Sequence, residues 1–216
     1  VVLSVNPVND PPVVVKDTFY VNEGDTLTVL NSDIDLIINN DIDPDNLTSE
    51  LSAQLMIPPT YHSGIFGIGS KGAFQYIHNC NDADVDVFQY LVSDGTATSS
   101  FQDSVIIFIL NEAPFGEPDF YSVQNGQTLT VDELSGALSN DLDSNFCDVL
   151  RVKLVQPPSY HLGSFTLDST GAFSYIHDGT LTPTQDYFVY QLSDGEDSAI
   201  ETDTVYITIN NNGPNT

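Results

Sequence analysis

Short alternating runs of apolar and polar residues dominate this chain. Phe74/Tyr76, Phe88/Tyr90/Val92 and Val105/Ile107/Ile109 each keep every second side chain apolar, the period of a half-buried strand. Between these runs lie clusters of Gly, Asp, Pro and Asn, which favour turns. The pattern predicts strands near 17–21, 26–30, 51–57, 64–68, 73–78, 86–92 and 103–110, with a long acidic loop at 31–48 and a tight turn at Ser70-Lys71-Gly72. Seven short strands of this kind argue an all-β, immunoglobulin-like sandwich.

The pattern then repeats. Asp17-Thr18-Phe19-Tyr20 returns as Asp119-Phe120-Tyr121, and Gly24-Asp25-Thr26-Leu27-Thr28-Val29 as Gly126-Gln127-Thr128-Leu129-Thr130-Val131. Asn40-Asp41-Ile42-Asp43 returns as Asn140-Asp141-Leu142-Asp143, and Gly72-Ala73-Phe74-Gln75-Tyr76-Ile77-His78 as Gly171-Ala172-Phe173-Ser174-Tyr175-Ile176-His177. Pro58-Pro59-Thr60-Tyr61-His62 and Ser93-Asp94-Gly95 recur likewise. A duplication at near-constant offset divides the 216 residues into two tandem seven-stranded sandwiches, 8–110 and 111–216. Residues 1–7 read as a linker or the last strand of a preceding repeat, so the chain is expected to be an internal piece of a longer array. The linkers Val8-Asn9-Asp10-Pro11-Pro12 and Asn111-Glu112-Ala113-Pro114 are stiffened by proline.

Charge narrows the function. There are 31 acidic residues against 4 basic ones, a formal net charge of −27, and 24 of the acids are Asp. That balance argues against nucleic acid and anionic membrane surfaces, both of which call for Lys and Arg. No run of 18 apolar residues predicts a membrane span. Short Asp side chains gathered in loops suit a hard cation that takes oxygen ligands. The competing explanation is that the same Asp residues cap turns and are solvated; for Asp94 and Asp194, each followed by Gly, a metal-free turn is an equal reading.

The ordered motifs, from the N-D-x-P linker through D-x-F-Y, E-G-x-T-L-T-V, N-D-x-D, P-x-H-x-G, G-x-F-x-Y and D-x-F-x-Y to S-D-G, resemble the cadherin-like, VCBS-type tandem Ig-like repeats of bacterial secreted surface adhesins. The resemblance covers nearly the whole chain. It implies an extracellular, secreted or cell-surface location, calcium-stiffened extension between neighbouring repeats, and an adhesive or matrix role. A self-associating subunit of an extracellular filament or sheath is the alternative. A module binding a surface glycan is a further one, with Tyr61 and Tyr160 as its candidate exposed platform. The motifs of an enzyme are missing: there is no nucleophile elbow, no phosphate loop and no catalytic carboxylate pair outside the acidic loops.

Ordinary sandwich tracing assigns the acids to loops. Asp41, Asp43, Asp45 and Asp94 are expected near Asn9-Asp10, and Asp141, Asp143, Asn145, Asp148 and Asp194 near Asn111-Glu112. The opposite end of the first repeat carries Glu23, Asp82, Asp84 and Asp86. A calcium site is therefore expected where Glu23, Asp82, Asp84, Glu112, Asp141 and Asp143 converge, the place where cadherin-like repeats hold calcium. D-x-D spacing is expected to turn both carboxylates of Asp41/Asp43 and of Asp141/Asp143 to one ion. The run Asp41-Ile42-Asp43-Pro44-Asp45-Asn46 resembles half an EF-hand loop but lacks its Gly and terminal Glu. The two cysteines, Cys80 and Cys147, are assigned to the same end-to-end region and suggest a disulfide. His62 should face His78, and His161 should face His177, as cross-strand contacts or, less simply, a transition-metal pair.

Overall fold

A computed structural model describes residues 8–211; the reading of residues 1–7 lies outside them. The chain divides into two compact units, with the boundary between Leu110 and Asn111. The first unit contains β1 (Asp17–Asn22), β2 (Thr26–Val29), β3 (Ser52–Ile57), β4 (Phe74–Ile77), β5 (Val85–Ser93) and β6 (Asp103–Leu110). The second contains β7 (Asp119–Gln124), β8 (Thr128–Val131), β9 (Arg151–Gln156), β10 (Thr166–Leu167), β11 (Phe173–Ile176), β12 (Gln185–Ser193) and β13 (Asp203–Asn210). No helix among the described residues is long and apolar enough to cross a membrane.

Each unit is a two-sheet sandwich. In the first, a four-stranded sheet of order β1-β6-β5-β3 faces the β2-β4 pair. In the second, β7-β13-β12-β9 faces β10-β11-β8. The opening strand of each unit runs parallel to its last strand, Asp17 opposite Val105 and Asp119 opposite Val205. The remaining pairings are antiparallel.

Alternation along β5 and β12 explains the core. Phe88, Tyr90 and Val92 point inward with Asp86, and Phe188, Tyr190 and Leu192 point inward with Asp186. Phe74, Phe88 and Phe66 pack with centroids 4.9–6.0 Å apart. Their counterparts Phe173, Phe188 and Phe165 do the same at 4.8–6.3 Å. Such aromatic pairs contribute about 0.5–1.5 kcal/mol each beyond area burial.

The expected strand at 64–68 does not form in the first unit. Only an isolated bridge between Ile68 and Phe74 remains, and the second unit keeps a two-residue β10. Gly64 and Gly163 adopt φ of +78° and +71° beside this segment, which turns the backbone out of the extended register. The histidines do pair across strands, His62 with His78 and His161 with His177.

Candidate functional site

The linker, the loop after the second strand and the turn after the long central strand meet at one end of each unit. In the second unit the backbone of Phe115 pairs with that of Leu142, at 2.8 and 2.9 Å, so the linker is clipped to the acidic loop. The linker's Glu112 N–H also donates to Asn145 Oδ1 at 2.7 Å, with Asn145 fully buried. Asn145 N–H in turn donates to Asp143 Oδ1 at 2.7 Å. On the facing turn, Asp194 Oδ1 accepts the N–H groups of Glu196 and Asp197, at 2.8 and 2.7 Å. Asn111 Nδ2 reaches Asp194 Oδ2 at 3.1 Å and Asp197 Oδ2 at 3.4 Å. The turn reading of Asp194 therefore accounts for one of its oxygens, and the other faces the linker.

Within this frame, ligand oxygens of Asp143, Asp148 and Asp194 lie within 4.8 Å of one another. Asp143 Oδ2 and Asn111 Oδ1 are buried and accept no hydrogen bond. Burial, together with the neighbouring Asp194 charge, pushes the Asp143 carboxyl above its ordinary range. Fixed, crowded carboxylates with shielded oxygens are costly unless a cation joins them. Two oxygens on one calcium can be separated by at most twice the metal–oxygen distance, about 4.6–5.2 Å. The separations in the cluster meet that limit, and the donor set is all oxygen. These residues fit a calcium ion.

The first unit repeats the frame with different side chains. Val13 pairs with Ile42 at 2.7 and 3.0 Å. Asp10 N–H donates to Asp45 Oδ2 at 2.7 Å, and Asn9 Nδ2 donates to Asp94 Oδ2 at 2.7 Å. Asp43 Oδ1 accepts N–H groups of Asp45 and Asn46, both at 2.8 Å. Asp43 Oδ2 and Asn46 Oδ1 are buried without a hydrogen-bond partner. Asn46 is also the asparagine of the Asn46-Leu47-Thr48 glycosylation sequence, and its amide oxygen is turned into the protein.

Several acids expected at a metal are otherwise engaged. Asp41 is buried and accepts Val15 N–H at 2.7 Å and the Tyr90 hydroxyl at 3.3 Å. Asp141 accepts Glu117 N–H at 2.9 Å and the Tyr190 hydroxyl at 3.0 Å. The D-x-D carboxylates therefore diverge: Asp41 and Asp141 enter the core, while Asp43 and Asp143 curl back over their own loop. Asp86 is saturated, with Oδ1 accepting from Thr60 and Val87 N–H and Oδ2 from Tyr61 N–H and the Tyr76 hydroxyl. It serves the fold and leaves no oxygen for an ion. Glu23 is buried in the turn after β1, where its N–H donates to the Leu110 carbonyl at 3.0 Å. Asp82 and Asp84 are exposed in the loop before β5. Cys80 lies in that same loop of the first unit, and Cys147 lies beside Asp148 in the second. Tyr61 and Tyr160, expected to be exposed, are half-buried.

Two features escaped sequence reasoning. Asp17 and Asp119, the first residues of β1 and β7, are buried against Tyr90 and Tyr190. Asp197 joins the second unit's site through Asn111. The first was legible in the alternation Asp17/Phe19/Val21, which carries Asp17 inward with the apolar residues. Nothing in the sequence singled out the second.

Residues 9–107 match the family described as the bacterial Ig domain, and residues 111–211 match the bacterial cadherin-like domain. No curated protein sequence matches the chain. Similar solved structures include the protocadherin gamma B2 extracellular cadherin domains 3–6, at 13% identity and a TM-score of 0.39, over 95% of this chain and 54% of that one. Drosophila N-cadherin EC1–4 is 16% identical with a TM-score of 0.41, over 94% of this chain and 50% of that one. The human desmocollin-1 ectodomain is 14% identical with a TM-score of 0.38, over 94% and 42%. The chain thus spans about half the length, or less, of these structures. Together the two family matches take in nearly all of the described residues: the first repeat belongs to the bacterial Ig domains and the second to the bacterial cadherin-like domains.

Proposed function

We propose that this chain is a repeat segment of an extracellular adhesive or stalk protein, and that it binds calcium at the linker end of each repeat. The supporting observation is the pair of buried, unpartnered oxygens, Asp143 Oδ2 and Asn111 Oδ1, beside the Asp143/Asp148/Asp194 cluster. Asn111, Asp143, Asp148 and Asp194 would hold the ion in the second repeat. Asn9, Asp43, Asn46 and Asp94 would hold it in the first. Bound calcium supplies a charge centre that cross-links three chain segments: linker, acidic loop and turn. Tying the linker to the body of its repeat removes hinge freedom where one repeat follows another, which is what a load-bearing spacer needs. The partners of such a segment are neighbouring repeats of the same parent chain, and the repeats act by holding shape rather than by catalysis.

Thermal melting of the whole chain in millimolar calcium and in chelator tests the reading. Calcium should raise Tm, since a ligand that binds only the folded state stabilises it by mass action. Asp143→Asn combined with Asp43→Asn, which keeps an acceptor oxygen for the loop N–H groups, should abolish the rise while leaving the chelator Tm nearly unchanged or higher, because it removes crowded charge. An equal Tm with and without calcium would overturn the assignment.

A further inference from the structure

We propose that the two repeats bind calcium with unequal strength, the second more tightly, because Asp148 stands where the first has Asn46. The proposal rests on the calcium reading above and concerns which side chains set the affinity.

Hydrogen bonds, rather than sequence offset, establish which residues correspond. Asp45 and Asn145 are equivalent, since each accepts the linker N–H at 2.7 Å, from Asp10 and Glu112. Asp43 and Asp143 are equivalent, since each folds Oδ1 onto the N–H two residues ahead, at 2.8 and 2.7 Å. Asp94 and Asp194 are equivalent, since each binds its linker asparagine through Oδ2, at 2.7 and 3.1 Å. The next polar side chain of each acidic loop is Asn46 in the first repeat and Asp148 in the second. Asn46 turns a buried amide oxygen with no partner into its loop, and Asp148 brings a carboxylate oxygen within 4.8 Å of Asp143 and Asp194.

The exchange redistributes charge. In the second repeat the neutral Asn145 holds the linker, and three carboxylates, Asp143, Asp148 and Asp194, bring oxygens within 4.8 Å of one another. Asp197 adds a fourth charge, bonded to Asn111 at 3.4 Å, where the first repeat has Ala97. In the first repeat the acid Asp45 is exposed and holds the linker, leaving Asp43 and Asp94 as carboxylates and Asn46 and Asn9 as neutral amides. Calcium affinity in oxygen sites follows ligand charge count and rigidity. Both loops are clipped by the same two-bond bridge to the linker, through Val13/Ile42 and Phe115/Leu142, so the carboxylate count is the difference taken to set the affinity. One carboxylate fewer is expected to weaken the first site by about tenfold or more.

Calorimetric titration of the whole, chelator-stripped chain with calcium chloride tests this. The wild type should show two classes of site. Asp148→Asn, which preserves shape, should weaken the tight class by about tenfold or more and leave the other in place. Asn46→Asp should tighten the weak class. Chelator melting curves of both variants confirm that each folds. Two sites of equal affinity in the wild type, or a tight class untouched by Asp148→Asn and abolished by Asp43→Asn, would overturn the inequality while leaving calcium binding intact. No binding heat with the wild type, together with no calcium shift in Tm, would overturn both.

Discussion

The hydroxyl of Tyr76 donates to Asp86 Oδ2 at 3.1 Å in the interior of the first repeat, and Tyr175 makes the same bond to Asp186, also at 3.1 Å, in the second. Each acid also accepts two N–H groups from the segment that carries the repeated P-P-x-Y-H sequence. A buried acceptor thus pins the segment that leads into the histidine bridge of each repeat. Asp86→Ala would leave Thr60 and Tyr61 N–H and the Tyr76 hydroxyl unsatisfied. It is expected to destabilise the first repeat by about 3 kcal/mol, near the upper end for single substitutions. Tyr76→Phe should cost about 1 kcal/mol, since it removes only one donor. Chemical denaturation in chelator measures both, and an Asp86→Ala loss no larger than that of Tyr76→Phe would refute the role of the backbone donors.

Two glycines separate backbone strain from steric contact. Gly163 and Gly171 both adopt left-handed φ, +71° and +85°. A Cβ on Gly163 meets nothing within 4 Å, whereas one on Gly171 lies 2.9 Å from Leu138 N and 3.1 Å from Ala137 N. Gly163→Ala is therefore expected to cost about 1 kcal/mol for the left-handed backbone alone. Gly171→Ala should cost at least about 2 kcal/mol more, because the neighbour is main chain and cannot rotate away. Equal losses in a denaturation series would refute the steric part.

The duplication and the sandwich are legible in the sequence because period-two alternation and turn residues act locally. The loops that carry the acids are legible for the same reason. Which acids face outward is another matter. Asp86, first residue of the strand expected at 86–92, groups by sequence with the loop acids Asp82 and Asp84, yet it shares the alternation of Phe88, Tyr90 and Val92 and so points into the core with them. Asp41 and Asp43 lie two positions apart, but an inward tyrosine claims the first and a local turn closes on the second. That choice depends on tertiary partners, Tyr90 above all, which lies 49 residues along the chain from Asp41. The histidine pairing is legible from register counting across a hairpin. Its chemistry is not: His177 Nδ1 accepts N–H groups of Gly126 and Gly179, at 3.1 and 3.2 Å. This fixes the proton on Nε2 and removes the lone pair a zinc ion would need.

Cys80 and Cys147 are proposed to form a disulfide, on the grounds of their loop assignments and an oxidising extracellular setting. The unreduced protein should then show no titratable thiol, and peptide mapping should recover one cross-linked peptide pair. Reduction should lower Tm by a few degrees, since a cross-link restricts the unfolded chain. Two reactive thiols in the unreduced, denatured protein would refute the bridge.

Buried acids set the pH dependence in the absence of calcium. Tyr90 offers one hydroxyl proton to the Ile37 carbonyl at 2.8 Å and to Asp17 Oδ2 at 2.9 Å. Desolvation raises the Asp17 carboxyl from 3.8 to about 7, with the nearby Asp41 charge adding to it and the Tyr90 bond opposing it. Desolvation, with the Asp141 charge next, raises Asp119 to about 7 as well. A folded-state pKa above the unfolded value means that the folded chain holds a proton the unfolded chain has already released. Between pH 3.8 and about 7 the folded state therefore binds more protons, and stability falls as pH rises through that window, levelling off above it. In chelator, Tm is expected to be higher at pH 5 than at pH 7.5. Self-repulsion in a chain of net charge −27 acts in the same direction, so the variants must isolate the cause. Asp17→Asn and Asp119→Asn imitate the protonated form and keep an acceptor oxygen. Each should leave Tm near the wild-type value at pH 5 and raise it at pH 7.5, shrinking the difference between the two. A wild-type slope retained in full by the double variant would assign the pH dependence to surface charge instead.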